Sequence, residues 1–182
     1  MKFLKVAIIT LVVLVVVIWG GGYFLEPTYK VSREIKIAAP AEKVMHEISD
    51  FSRWQEWGVW FERDPKMKIT ITGDAGMVGH SSKWSSETQG NGQMILTAIN
   101  NEELTYDLLF PDMGMQSIGR ISLTELRGEN GEAETLVVWS DEGDVGNDIV
   151  SRYFVLFIDE LMGPDFEQGL TNLKVLTEKK EG

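Results

Sequence analysis

The run from Val6 to Leu25 constrains this chain more than any other feature, because it carries no charged residue. As a helix rising about 1.5 Å per residue, it spans roughly 30 Å, the hydrocarbon thickness of a bilayer. Its centre, Val12-Val13-Leu14-Val15-Val16-Val17-Ile18, has no polar face, unlike a helix lying on a membrane surface. Trp19, Tyr23 and Phe24 gather at the far end, where amphipathic rings favour the interface. Lys2 and Lys5 lie on the near side. The positive-inside rule then places the N-terminus in the cytoplasm and residues 26–182 across the membrane. A cleaved signal peptide would share the basic start and apolar core, although Gly20-Gly21-Gly22 offers no Ala-x-Ala site. Either reading predicts two parts: a membrane segment at 1–25 and one folded domain at 26–182.

The 182 residues suit a single domain beyond that segment. Lys2 and Lys5 are the only charges before Glu26, so 15 basic and 28 acidic residues fall in the remainder, a net of −13. Such a balance argues against nucleic-acid partners, which need a basic face. The absence of cysteine removes disulfides, thiolate metal sites and cysteine nucleophiles. With only His46 and His80, no histidine-rich metal site is expected. Glycine-rich phosphate loops, Gly-x-Ser-x-Gly elbows and His-Glu-x-x-His pairs are missing from the sequence. No cofactor is expected.

Hydrophobic periodicity divides the domain clearly. Val31, Ile35 and Ile37 alternate with Lys30, Ser32, Glu34 and Lys36, a half-buried strand over Tyr29–Ile37. Pro40 can open a helix that runs to about Ser49 on Val44, Met45 and Ile48. Asp50 is placed to cap a second short helix, Phe51–Trp57, with loop from Phe61 to Lys66. Six alternating segments follow, the last completed by Thr135, Val137 and Trp139. Gly73-Asp74, Gly90-Asn91-Gly92, Asn100-Asn101, Pro111-Asp112 and Asn130-Gly131 separate them. Turns this close together imply an antiparallel meander. The acidic positions Asp141, Glu142, Asp144 and Asp148 read as a solvated loop, since the spacing of a calcium loop is absent. Ile149, Tyr153, Phe157 and Leu161 then recur every fourth residue, as on one helix face. Gly163-Pro164 is expected to interrupt that helix, which resumes through Phe166, Leu170 and Leu173 to about Glu178.

The order strand, two short helices, six strands, long helix predicts an α+β domain. Its antiparallel sheet needs a cover, and only the C-terminal helix is long enough. This order resembles the helix-grip fold of the SRPBCC superfamily, which includes START-like lipid-transfer domains and birch-pollen-type allergens. Three stretches carry a closer resemblance to its bacterial polyketide cyclase/dehydrase and lipid-transport group: Tyr29–Val44, Asp50–Trp57 with Trp60-Phe61, and Gly163–Lys174. The resemblance implies a curved seven-stranded antiparallel sheet packed on a long C-terminal helix, with a cavity between them. It also implies a hydrophobic or amphipathic small molecule, lipid-like, as the partner, and no shared catalytic motif. A polyketide cyclase-like enzyme and a protein-interaction module remain alternatives. An ordered acid or base among the cavity walls would favour the enzyme.

Candidate ligand-binding residues are Trp54, Trp57, Trp84, Tyr106, Trp139, Tyr153 and Phe157. Trp54, Trp57 and Trp60 are spaced by three, which brings the first two onto one helix face, and the three could line the mouth of a pocket. Trp84, Tyr106 and Trp139 take the inward parity of their strands. Plain core packing is the competing reading for all of these rings, since aromatic residues dominate interiors as well as sites. Met113 and Met115, near a turn, could close the open end of the core or cover a ligand. Arg33 has inward parity and needs a partner if buried. Neither histidine stands at a telling sequence spacing from a nucleophile or an orienting carboxylate, so no catalytic residue is assigned.

Overall fold

The computed structural model describes residues 2–128 and 131–179. Helix α1 (Lys2–Tyr23) stands exposed along almost its whole length, with only Gly22 buried. It is long and apolar enough to cross a membrane, a test that a signal sequence also meets. Strand β1 (Thr28–Ile37) follows, then α2 (Ala41–Ser49), a 3-10 turn (Arg53–Glu56) and α3 (Val59–Arg63). The meander comprises β2 (Lys68–Thr72), β3 (Ser81–Ser85), β4 (Gly92–Ile99), β5 (Glu103–Phe110), β6 (Met115–Arg127) and β7 (Ala133–Asp144). Two helices, α4 (Ile149–Val155) and α5 (Ile158–Glu178), complete the chain.

All seven strands join one antiparallel sheet in the order β1-β7-β6-β5-β4-β3-β2. β1 therefore returns beside β7, while the others follow as hairpins. The β4–β5 register shifts between Leu96 and Ala98, and such a bulge bends a sheet locally. Val31, Leu104, Tyr106, Ile121, Val137 and Trp139 bury the inner face. Across from them α5 contributes Phe166, Leu170 and Leu173, and α2 contributes Val44 and Ile48. Each such side chain adds roughly 1.5–3 kcal/mol when fully buried. The result is the expected α+β helix-grip architecture.

Arg33 fastens the grip. Its guanidinium donates to Glu167 Oε1 at 2.6 Å and to Asp159 at 2.9 and 3.1 Å. A Cβ on Gly163 would collide with that guanidinium, so the glycine lets β1 and α5 approach. Arg33 is thus partnered by the helix that covers the sheet.

Four local expectations need correction. The acidic run is not a solvated loop up to Asp144, because β7 extends to that residue and pairs with β1 down to Thr28. Asp141 is wholly buried there, and Glu142 pairs with Lys30. The Phe61–Lys66 loop is in part helix α3, held by an ion pair and hydrogen bonds from Arg63 and Trp60 to Asp165. The second short helix is reduced to the 3-10 turn, although Asp50 does accept from the Ser52 amide at 2.8 Å. Gly163-Pro164 does not break α5. The interruption falls at Leu156-Phe157 instead, and Pro164 frees the carbonyl of Glu160, which is exposed to solvent. The Asn130-Gly131 turn lies partly outside the described residues, since Asn130 is not among them.

Candidate functional site

A cavity of about 660 Å³ lies between the concave face of the sheet and α5, within the range of small-molecule sites. Trp54, Tyr106, Trp139 and Phe166 form its deep end. Trp84, Met94, Leu108 and Phe110 form the wall along β3–β5, while Met113 and Met115 stand at the β5–β6 turn. Phe154, Ile158, Leu161 and Met162 frame the side made by α4 and the start of α5. A second depression of about 650 Å³, at the ends of β1, β6 and β7, is shallow and open to solvent. It encloses nothing.

Aromatic packing explains why the cavity stops where it does. Trp139 stacks on Phe166, with ring centroids 4.2 Å apart and planes 8° from parallel. Trp54 meets both Tyr106 and Trp139 edge to face, at 5.5 and 5.6 Å. Its indole donates to the Ile48 carbonyl at 2.9 Å.

Of the predicted ligand residues, Trp54, Trp84, Tyr106 and Trp139 line this cavity. Trp57 does not. It is wedged behind Trp54 and Trp139, with ring centroids 4.6 and 5.4 Å away. Tyr153 faces the other way and donates to the Ile18 carbonyl of α1 at 2.8 Å. Phe157 is exposed, and its neighbours Phe154 and Leu161 reach the cavity instead. Trp60, read from the sequence as a neighbour of Trp54 at a pocket mouth, is also a wall residue, and Tyr29 and Ser117 are wall residues that the sequence reading did not assign. Tyr29 and Ser117 share the inner parity of β1 and β6, which was the available signal.

The ionisable groups at the wall are paired. Arg63 and Asp165 form an ion pair, and Trp60 Nε1 donates to the same carboxylate at 3.1 Å. Asp141 lies just behind the wall, where Tyr29 Oη donates to Oδ1 at 3.2 Å and Ser117 Oγ to Oδ2 at 2.9 Å. Burial pushes the Asp141 carboxyl above its ordinary range, and the two hydroxyls partly offset that shift. Burial, reinforced by Asp141, also raises the Tyr29 and Tyr106 phenols, so both stay protonated.

His80 is buried: it accepts from the Phe51 amide at 3.0 Å, sits 3.2 Å from the Gly73 carbonyl and 3.5 Å from the Asp50 carboxylate, and stacks on Phe51. His46 is exposed. Among the described residues no cluster of acids and histidines is arranged to hold a metal ion.

A curved sheet gripping a helix around such a cavity defines a helix-grip protein of the SRPBCC superfamily. The chain belongs to the family described as polyketide cyclase/dehydrase and lipid transport, whose profile matches residues 28–178. Among solved structures, truncated norcoclaurine synthase from Thalictrum flavum superposes with a TM-score of 0.60 at 17% identity, covering 85% of this chain and 96% of that one. The same synthase in complex with dopamine and hydroxybenzaldehyde gives a TM-score of 0.57 at 18% identity, covering 85% and 90%. A solution structure from Thermobifida fusca gives 0.58 at 18%, covering 81% and 92%. At these identities the likeness is one of fold. No curated protein matches the chain.

Proposed function

We propose that this protein is a membrane-anchored binding domain for a hydrophobic or amphipathic small molecule of lipid-like character. The observation that carries the reading is the largely apolar cavity of about 660 Å³ between sheet and α5. Burying a ligand there yields about 25 cal/mol for each Å² of apolar surface removed from water. Arg63 and Asp165, the charged residues among those that line the cavity, neutralise each other in an ion pair, which favours binding over catalysis.

In this reading residues 1–25 anchor the chain and 26–182 form the binding domain, on the far side of the membrane from the N-terminus. The joint between the parts supports a retained anchor. Ile149 and Tyr153 pack where Cβ atoms would stand on Gly21 and Gly22. Arg152 donates to the Tyr23 and Leu25 carbonyls at 3.1 and 3.3 Å. The last turn of α1 therefore docks on α4. Beside the joint, Val150, Phe154, Phe157 and Leu161 are exposed, and Phe154 and Leu161 also border the cavity. A lipid leaving the bilayer would meet this apolar rim first. The domain's net charge of −13 works against adsorption on anionic head groups, so contact would be local and apolar.

Two experiments test the proposal. Native mass spectrometry of the full chain should show one apolar molecule bound per chain, and absence of any bound molecule contradicts the ligand reading. For the anchor, the cysteine-free sequence allows a single exposed Glu160→Cys label. A membrane-impermeant maleimide should reach it from outside intact cells, and protection there would reverse the orientation.

A further inference from the structure

The cavity floor contains a polar group of four that apolar burial alone leaves unused. Sheet register assembles it. Tyr106, Gly119, Asp141 and Val31 form one row across β5, β6, β7 and β1. Ser117, Gly143 and Tyr29 form the neighbouring row across β6, β7 and β1. In each row a glycine lies under a tyrosine: a Cβ on Gly119 would fall within the Tyr106 ring, and one on Gly143 against the Tyr29 ring. The two rings can therefore lie flat over the sheet. Tyr106 extends over Gly119 towards Asp141, and Tyr29 extends over Gly143 towards Ser117.

The hydrogen bonds give these hydroxyls a direction. Tyr29 and Ser117 both donate to the Asp141 carboxylate. Their protons are committed to it, and their remaining lone pairs serve the cavity whose wall both residues reach. Tyr106 accepts from Trp139 Nε1 at 2.9 Å, and its own proton has no acceptor among the described residues. The floor thus offers acceptors from Tyr29 and Ser117 and a donor from Tyr106.

A neutral hydroxyl satisfies both sides, because it donates one hydrogen bond and accepts another. A carboxylate cannot donate and would face the charge of Asp141. An ammonium cannot accept and would leave the Tyr106 proton unpaired in a buried site, which is costly. We infer that the cavity takes an apolar molecule ending in a neutral hydroxyl group, held by Tyr29, Ser117 and Tyr106. Asp141 is the positioning residue that aims the first two. The assignment rests on the reading of the cavity as a ligand site and adds the chemistry of the ligand's polar end.

The test uses the full chain in detergent and four probes of equal chain length: dodecane, 1-dodecanol, dodecanoate and dodecylammonium. Binding is read as one-to-one adducts by native mass spectrometry, with the probes in competition. Dodecanol should exceed dodecanoate and dodecylammonium by at least about tenfold, the ratio expected when a buried polar group is left unpaired. Tyr106→Phe should lower the dodecanol-to-dodecane affinity ratio by about three- to tenfold, the worth of one neutral hydrogen bond. Asp141→Asn should lower the same ratio, whereas a purely structural role would move both affinities together. Equal binding of the three polar probes, or an unchanged ratio in both variants, overturns the inference while leaving the cavity a ligand site. Failure of every probe to bind, dodecane included, overturns the ligand reading itself.

Discussion

Trp139 on β7 and Phe166 on α5 lie face to face, 4.2 Å between centroids, and this stack closes the sheet against the helix. It is both the end wall of the cavity and the centre of the aromatic core. Phe166→Ala should cost about 3–5 kcal/mol, the usual range for removing a buried phenylalanine. Chemical denaturation of the full chain in detergent measures it; a loss below about 1 kcal/mol would mean that the grip does not depend on this stack.

Gly163 should invert the ordinary helix rule. Replacing an interior helical glycine by alanine usually stabilises by about 1 kcal/mol. Here the new methyl meets the Arg33 guanidinium, so Gly163→Ala should destabilise. In an Arg33→Ala background the same change should recover its usual favourable sign. Double-mutant denaturation reads this coupling, and additive effects would contradict the packing described.

Acid should act on the domain in two opposed ways. The hydrogen-bonded Asp159 carboxyl lies below its ordinary range beside Arg33, and Glu178 is likewise lowered, by its bonds to Lys174 and the Ala38 amide against the opposing effect of burial. Groups with lowered folded pKa values contribute stability above their unfolded range, about 4, and lose it as pH falls through the folded value. Asp141 has the reverse sign. Its raised folded pKa favours the native state at low pH, and that advantage fades as pH rises from about 4 to the folded value. The stability difference between Asp141→Asn and wild type should therefore shift in favour of the variant across that window and then level off. Urea midpoints taken at a series of pH values check the sign; a difference that moves the other way contradicts the buried, raised carboxyl.

Gly119 lies beneath the Tyr106 ring, which in turn meets Trp54 and accepts from Trp139. Gly119→Ala must lift that ring, at a cost of about 1–3 kcal/mol for overpacking. The near-ultraviolet circular dichroism of the tryptophan cluster should change as well. An unaltered spectrum and midpoint would show that Tyr106 does not lie flat on the strand.

Strand parity made much of the site legible. Trp84, Tyr106 and Trp139 follow from alternation alone, and so does the inner face that carries them. The same parity places Asp141 and Gly143 inward after Trp139. That signal was masked because four acids close together resemble a solvated loop. On the helical side, four-residue spacing assumed one continuous helix through Tyr153 and Phe157. The break at Leu156-Phe157 changes the phase, with Tyr153 turned to α1 and Phe154 to the cavity. Trp57 lies away from the cavity for a similar reason: it caps a 3-10 turn rather than continuing a helix, and packs behind Trp54.

The most direct test is whether the cavity itself holds the ligand. Lipids also adhere to an apolar helix such as α1, so the comparison must be with a chain whose cavity is filled. Leu108, on the cavity wall, is suited to this, and Leu108→Trp should occupy the space while circular dichroism confirms the fold. Native mass spectrometry of the two chains is predicted to show one apolar molecule more on the wild type than on the variant. The same adducts on both chains, or on neither, would contradict the account.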